Sequence, residues 1–252
     1  MKDGYYLYDT HTHIGHARHS GRRQTAEQLL REMDRFGVDK SMAIPFPVVD
    51  DYQAQHNEIA AAIARYPGRL VGAACINPFI PEADYRDEVR RCREQFGFRA
   101  LKFQPQYQGV SAIWTQSNFI FETALENGMA LIAHTGSGIP HALPSVFMFA
   151  ARRYPELKIV LAHCGGGGLL LPDAIVAASF CPNIYLDLST LMPNHVLEVL
   201  QHIPASRLMA GSDLLENTDV EFLKILLLDL PVEQKRQILS ETAHAVFDSE
   251  PA

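Results

Sequence analysis

His11 and His13 stand two apart in Asp9-Thr10-His11-Thr12-His13, and side chains two apart on a strand share a face. Two imidazoles at that spacing can grip one metal ion, and further ligands from other strand ends can complete its shell. Three later apolar runs, 130–134, 159–163 and 208–213, end in His134, His163 and Asp213. Taken singly, each residue has an ordinary role. HxH serves as a locally bonded pair at a strand end, His134 and His163 as core histidines at a rim, and Asp213 as a helix N-cap. Nothing in barrel packing requires the whole set, and their joint placement where apolar runs stop points to one metal site.

The elements that must position these residues recur at a steady spacing. Strand character is expected at 5–9, 41–46, 70–76, 100–104, 130–134, 158–163, 184–188 and 207–211. Most of these runs are almost continuously apolar, as strands covered on both faces are. They start about thirty residues apart, one βαβ unit each. Helices are expected between them, the first opening at Thr25 and ended by Gly37. The others fall at 55–66, 85–96, 119–127, 143–154, 173–178, 194–201 and 220–228, with a closing helix at 232–247. The ligand candidates follow strands one, five, six and eight, and a closed ring is what makes strands one and eight neighbours. The expectation is therefore an α/β fold, a single-domain (β/α)8 TIM barrel over residues 1–252, with its chemistry at the C-terminal strand ends.

Composition narrows the function classes. The chain has 252 residues, 47% hydrophobic and 20% charged, with a formal net charge of −7. That balance argues against nucleic acid as the main partner. Cys75, Cys92, Cys164 and Cys181 are scattered, which favours reduced thiols over a disulfide framework. With no signal-like start and no apolar run near about 20 residues, no membrane is expected and the compartment reads as cytoplasmic.

Over nearly its whole length the chain resembles the amidohydrolase superfamily, in the amidohydrolase-related branch of metal-dependent hydrolases and non-oxidative decarboxylases. The resemblance is carried by Asp9-Thr10-His11-Thr12-His13-Ile14-Gly15, Tyr66-Pro67-Gly68-Arg69, His134-Thr135-Gly136, Ala162-His163-Cys164-Gly165-Gly166 and Gly211-Ser212-Asp213. It implies one divalent metal held by His11, His13, His134 and Asp213, with His163 beside the substrate. Three imidazoles and a carboxylate suit zinc, and manganese is the alternative. Asp213 would also act as general base toward an activated water, and His163 would polarise the attacked carbonyl. At 241–247 the chain departs from the family's usual ending, carrying Thr242 and Ala245 near where relatives have Asn and Arg.

Lys102 lies in the fourth strand run, where binuclear relatives carry a carboxylated lysine. The mononuclear reading makes it a cation for the substrate. Gln104 and His141 are further substrate-side candidates, while His56 reads as a surface or capping residue of the second helix. A metal-dependent hydrolase acting on an amide, lactone or ester of a small molecule is the leading expectation, because the chain is compact. The alternative is a decarboxylase of an aromatic or unsaturated carboxylic acid with the same ligands. A deoxyribonuclease is disfavoured by Lys102 where such enzymes place a glutamate, and a non-enzymatic ligand-binding barrel by the intact set of ligands. A homodimer is an expectation from family habit.

Overall fold

The computed structural model describes residues 1–249. Eight parallel strands follow one another around the sheet in chain order: β1 (Tyr8–His16), β2 (Lys40–Pro45), β3 (Leu70–Ala74), β4 (Ala100–Phe103), β5 (Ala130–His134), β6 (Ile159–Ala162), β7 (Ile184–Asp187) and β8 (Leu208–Met209). A ninth, two-residue strand, Arg23–Gln24, pairs antiparallel with the end of β1. The ring closes where Thr10 donates its N–H to Ala210 O at 3.0 Å and Asp213 donates its N–H to His11 O at 2.6 Å. Helices cover the outside, and the fold is a TIM barrel. None of the described helices is long and apolar enough to cross a membrane.

Strand periodicity sorts the apolar residues into two cores. Met42, Ile44, Ala130, Ile132, Val160 and Met209 fill the barrel interior. Their neighbours Ala43, Leu131, Ala133 and Leu161 face the helices. Continuing the inner stripe of β5 from Ala130 and Ile132 brings His134 to the mouth, and the same count on β4 puts Lys102 inside. On β1 that count would turn His11 and His13 outward from Tyr8. A register shift between Asp9 and Thr12, where β1 spends one residue more than β2, reverses the face and pairs His13 with Ile44.

The first helix, Ala26–Phe36, has the expected Thr25 capping box, and Gly37 ends it in the left-handed conformation. The expected closing helix is regular over Val232–Arg236 and continues through π-type turns to Asp248. Val246 and Phe247 there plug the barrel bottom against Tyr8. All four cysteines are buried and free. His56 departs from its expected surface place. It is fully buried, because its helix (Tyr52–Arg65) turns it onto Glu88 of the next one.

Candidate metal centre

At the C-terminal mouth, His11 Nε2 lies 3.6 Å and His13 Nε2 3.4 Å from Asp213 Oδ1. Ligand atoms about 2.0–2.2 Å from a tetrahedral metal lie roughly 3.4 Å apart, so these three atoms fit one ion. Each histidine spends its other nitrogen elsewhere. His11 Nδ1 donates to Asp187 Oδ2 at 2.9 Å and His13 Nδ1 to Pro45 O at 3.2 Å. A proton fixed on Nδ1 leaves the lone pair on Nε2, which a metal needs. His134 lines the same pocket, but its Nε2 lies 3.0 Å from Ser137 O. It stands outside the preassembled set and must release Ser137 to ligate through that nitrogen.

The backbone is bent to make this arrangement. His163, Thr190 and Asp213 all hold left-handed φ angles, of 68°, 68° and 64°. For residues other than glycine such conformations persist where the surroundings enforce them, and they gather at functional sites. The turn at His163 takes it off the strand alternation, so it reaches the pocket although Ala162 before it is the inward residue of β6. Gly211 matters for a different reason. A Cβ there would come within 2.8 Å of Asp187 Oδ1 and 2.9 Å of His11 Cβ, so the end of β8 can approach both only without a side chain.

Burial and charge set the protonation states. Burial holds the His13 imidazole below its usual range, lowers His134 to about 4, and pushes His163 well down. Burial would raise Asp213, but the His13 hydrogen bond and the neighbouring His11 and His163 rings outweigh it and keep the carboxylate ionised. Asp187, with burial outweighed by His11, falls to about 2. Burial lowers Lys102 to about 8, partly offset by Asp213 and Asp187. The site therefore presents neutral His13 and His134 imidazoles and ionised Asp213 and Asp187 carboxylates, the donor forms a divalent metal binds.

Above the cluster opens a pocket of about 340 Å³ walled in part by Phe46, Tyr107, Gln104 and Arg22. Gln104 lies on its wall as expected, with Oε1 buried and without a hydrogen-bond partner. Lys102 sits beneath the pocket, fully buried, with Nζ 2.9 Å from His11 Nε2. His141 is not among the residues lining the pocket. Its ring packs edge-on to Trp114 with centroids 5.1 Å apart. Asp187 and Ser189, absent from the expected set, join the site from the end of β7 and the loop after it. The signal for Asp187 was present, since it ends its apolar run as the other site residues end theirs.

The amidohydrolase family model matches residues 8–248. The chain belongs to that family. Its fold is shared by a 5-carboxyvanillate decarboxylase from Novosphingobium aromaticivorans, solved with manganese and 4-hydroxy-3-methoxy-5-nitrobenzoic acid (TM-score 0.80, 16% identity, 98% of this chain and 97% of that one). A dihydroxybenzoic acid decarboxylase from a Polaromonas species, with manganese and the inhibitor 2-nitroresorcinol, matches at TM-score 0.75 and 15% identity over 98% of each chain. An amidohydrolase from Burkholderia multivorans with bound zinc matches at TM-score 0.76 and 13% identity, over 96% of this chain and 99% of that one. Family membership and a candidate His/Asp metal site thus stand together on one barrel mouth.

Proposed function

We propose that this family member is a metal-dependent decarboxylase of a small aromatic or unsaturated carboxylic acid. The charge of the pocket carries the reading. Among the described residues, Asp213 is the single carboxylate on its wall, with the Lys102 ammonium beneath and Arg22 already paired to Glu216. A divalent cation on His11, His13 and Asp213, with His134 as fourth ligand, leaves the site net positive, and an anionic substrate neutralises it. A neutral amide, lactone or ester would leave it uncompensated. The two decarboxylases of similar fold, each solved with an aromatic molecule, support the same choice. Compactness favoured hydrolysis, and pocket charge is the weightier argument because it bears on the substrate itself.

One ion per chain is proposed, zinc or manganese, supplying a Lewis acid that draws negative charge onto substrate oxygens. Lys102 and Arg22 attract the carboxylate, Phe46 and Tyr107 offer ring faces, and Gln104 borders the bound acid. The bond between the substrate carbon and its carboxylate breaks, carbon dioxide leaves, and the electron pair stays on carbon. His163 takes a proton from solvent onto Nε2 when the anionic substrate beside it makes the imidazolium favourable, and hands that proton to the carbon, returning to the neutral ring.

Hydrolysis remains the second reading on one observation: Asp213, about a quarter exposed, offers a carboxylate to the pocket that can accept a proton from water. A panel of hydroxybenzoates, muconate-type acids, lactones, amides and esters in D2O separates the two. Decarboxylation releases stoichiometric carbon dioxide and leaves deuterium on the product carbon. Incorporation of ¹⁸O from labelled water, with no carbon dioxide, would overturn the proposal in favour of hydrolysis.

A further inference from the structure

Asp187 Oδ2 accepts two hydrogen bonds, from His11 Nδ1 and from Ser189 Oγ, each at 2.9 Å. Its Oδ1 accepts the Ser189 backbone N–H at 2.9 Å. Ser189 Oγ in turn lies 2.8 Å from His163 Nδ1. A hydroxyl has one proton to give, and an ionised carboxylate can only accept. The Ser189 proton therefore goes to Asp187, and Ser189 Oγ accepts from His163. His163 carries its proton on Nδ1 and keeps the Nε2 lone pair for the pocket.

His11, His163 and Asp187 lie close enough together to resemble a second metal cage. Their geometry argues otherwise, because Asp187 Oδ2 and both Nδ1 atoms are already engaged in this chain of bonds. Ser189 is itself held from outside the pocket. Lys224 Nζ donates to Leu188 O at 2.7 Å and to Leu191 O at 2.9 Å. Glu221, ion-paired with Lys224, accepts the Thr190 N–H at 2.9 Å. Both residues are buried on helix Thr218–Leu226, which follows the loop that carries Asp213. A buried ion pair with no place in the chemistry thus clamps the Ser189 loop by three bonds.

We propose that Ser189 is a positioning residue that fixes the His163 proton on Nδ1 and links His163, through Asp187, to His11. The kinetic consequence rests on the proposed role of His163 as proton donor. The tautomer does not, since it follows from the hydrogen bonds whichever reaction the pocket runs.

The test is ¹⁵N NMR of histidine-labelled protein, read with and without zinc, the His163 signals being assigned by their absence from His163→Asn. Wild type and Ser189→Thr, which keeps the hydroxyl, should show His163 protonated on Nδ1 and bare on Nε2. Ser189→Ala should show a mixture of the two tautomers with its zinc content unchanged. Its turnover should fall about 10–100-fold, the usual cost of losing such a supporting partner. Should Ser189→Ala not fold, Ser189→Cys, with its weak S–H donor, carries the same readout. A single Nδ1–H tautomer persisting without the hydroxyl, or an Nε2–H tautomer in wild type, overturns the proposal. If the tautomer shifts as expected while no acid in the panel loses carbon dioxide, the proposed reaction fails and the role of Ser189 stands.

Discussion

Two groups of buried histidine and carboxylate in this barrel look alike by residue type and differ in what they leave free. His11, His13 and Asp213 form one, and His56, Glu88 and Cys92 the other, each with ligand atoms within 4.8 Å of one another. In the second, His56 Nε2 accepts the Cys75 N–H at 3.1 Å, so its Nδ1 proton goes to Glu88 Oε1 at 2.7 Å. Glu88 is held again by Arg91, and burial beside Glu88 keeps the Cys92 thiol protonated. No lone pair of His56 remains for an ion, and the group is a strut between helices Tyr52–Arg65 and Glu82–Phe96. At the mouth, Asp187 and Pro45 engage the Nδ1 side and leave Nε2 facing Asp213. His13 Nε2 is thus open toward Asp213, and His11 Nε2 is shared only with the Lys102 Nζ that an ion would displace, whereas both nitrogens of His56 are tied into the scaffold.

The largest effects should come from exchanging the two groups' fates. His13→Ala should reduce bound metal from about one ion per chain to almost none by elemental analysis, since it removes a direct ligand. His56→Ala should retain the metal and instead lose roughly 3–5 kcal/mol of stability in urea unfolding, because Glu88 stays buried with one partner fewer. Metal lost in His56→Ala and kept in His13→Ala would reverse the comparison. His163→Asn comes next, with turnover lower by roughly 10²–10⁴-fold, the range of a lost general acid–base group. Its metal content should stay near that of wild type, and loss of the ion would make His163 a ligand.

Lys102→Met should act in two directions. Lys102 Nζ occupies the His11 lone pair that a metal would take, and like charges about 4 Å apart repel by about 4 kcal/mol at an effective dielectric of 20. Metal should therefore bind at least roughly tenfold tighter by calorimetric titration, while KM for the carboxylic acid rises. Weaker metal binding would mean that Lys102 serves the ion.

The smallest effect concerns Asp9, whose carboxyl burial pushes up to about 7 although Ser212 and His11 donate to it. Between its unfolded value near 3.8 and about 7, the folded chain holds a proton that the unfolded chain has released. Its contribution to stability therefore falls as pH rises through that window. The buried histidines work the opposite way, so the quantity to measure is the difference between wild-type and Asp9→Asn unfolding curves in metal-free protein. That difference should slope downward from about pH 4 to pH 7, and a flat difference would show that Asp9 ionises normally.

The barrel and the outline of the site were legible because each depended on local pattern. Apolar runs ended in His134, His163 and Asp213, and Thr25 and Gly37 bounded the first helix. What was hidden depended on partners distant in sequence. His56 looked exposed because Glu88, which buries it, lies 32 positions away. His141 sits in a loop where its ring meets Trp114, 27 positions earlier, and no spacing rule reaches that contact. The first strand was expected to stop at Asp9, but pairing of Thr12, His13 and Ile14 with β2 carries it on, and Arg23–Gln24 folds back on Gly15 and His16 to end it. Ser189 carried no signal at all, since a serine after a strand is commonplace and its meaning lies in His163, 26 positions earlier.

The seam between β1 and β8 has a consequence for how the protein assembles. Asp9 takes the Ser212 N–H at 2.9 Å and its hydroxyl at 2.6 Å across 203 positions of chain, the same junction at which His11 and Asp213 meet. Closing a loop of that length is entropically late, since its cost grows with the logarithm of length and is repaid only on contact. The ion's binding place does not exist until the first and last strands have found each other. A nascent chain still lacking β8 holds His11 and His13 without their carboxylate, so in the proposed metal centre capture of an ion would mark the moment at which the barrel becomes a ring.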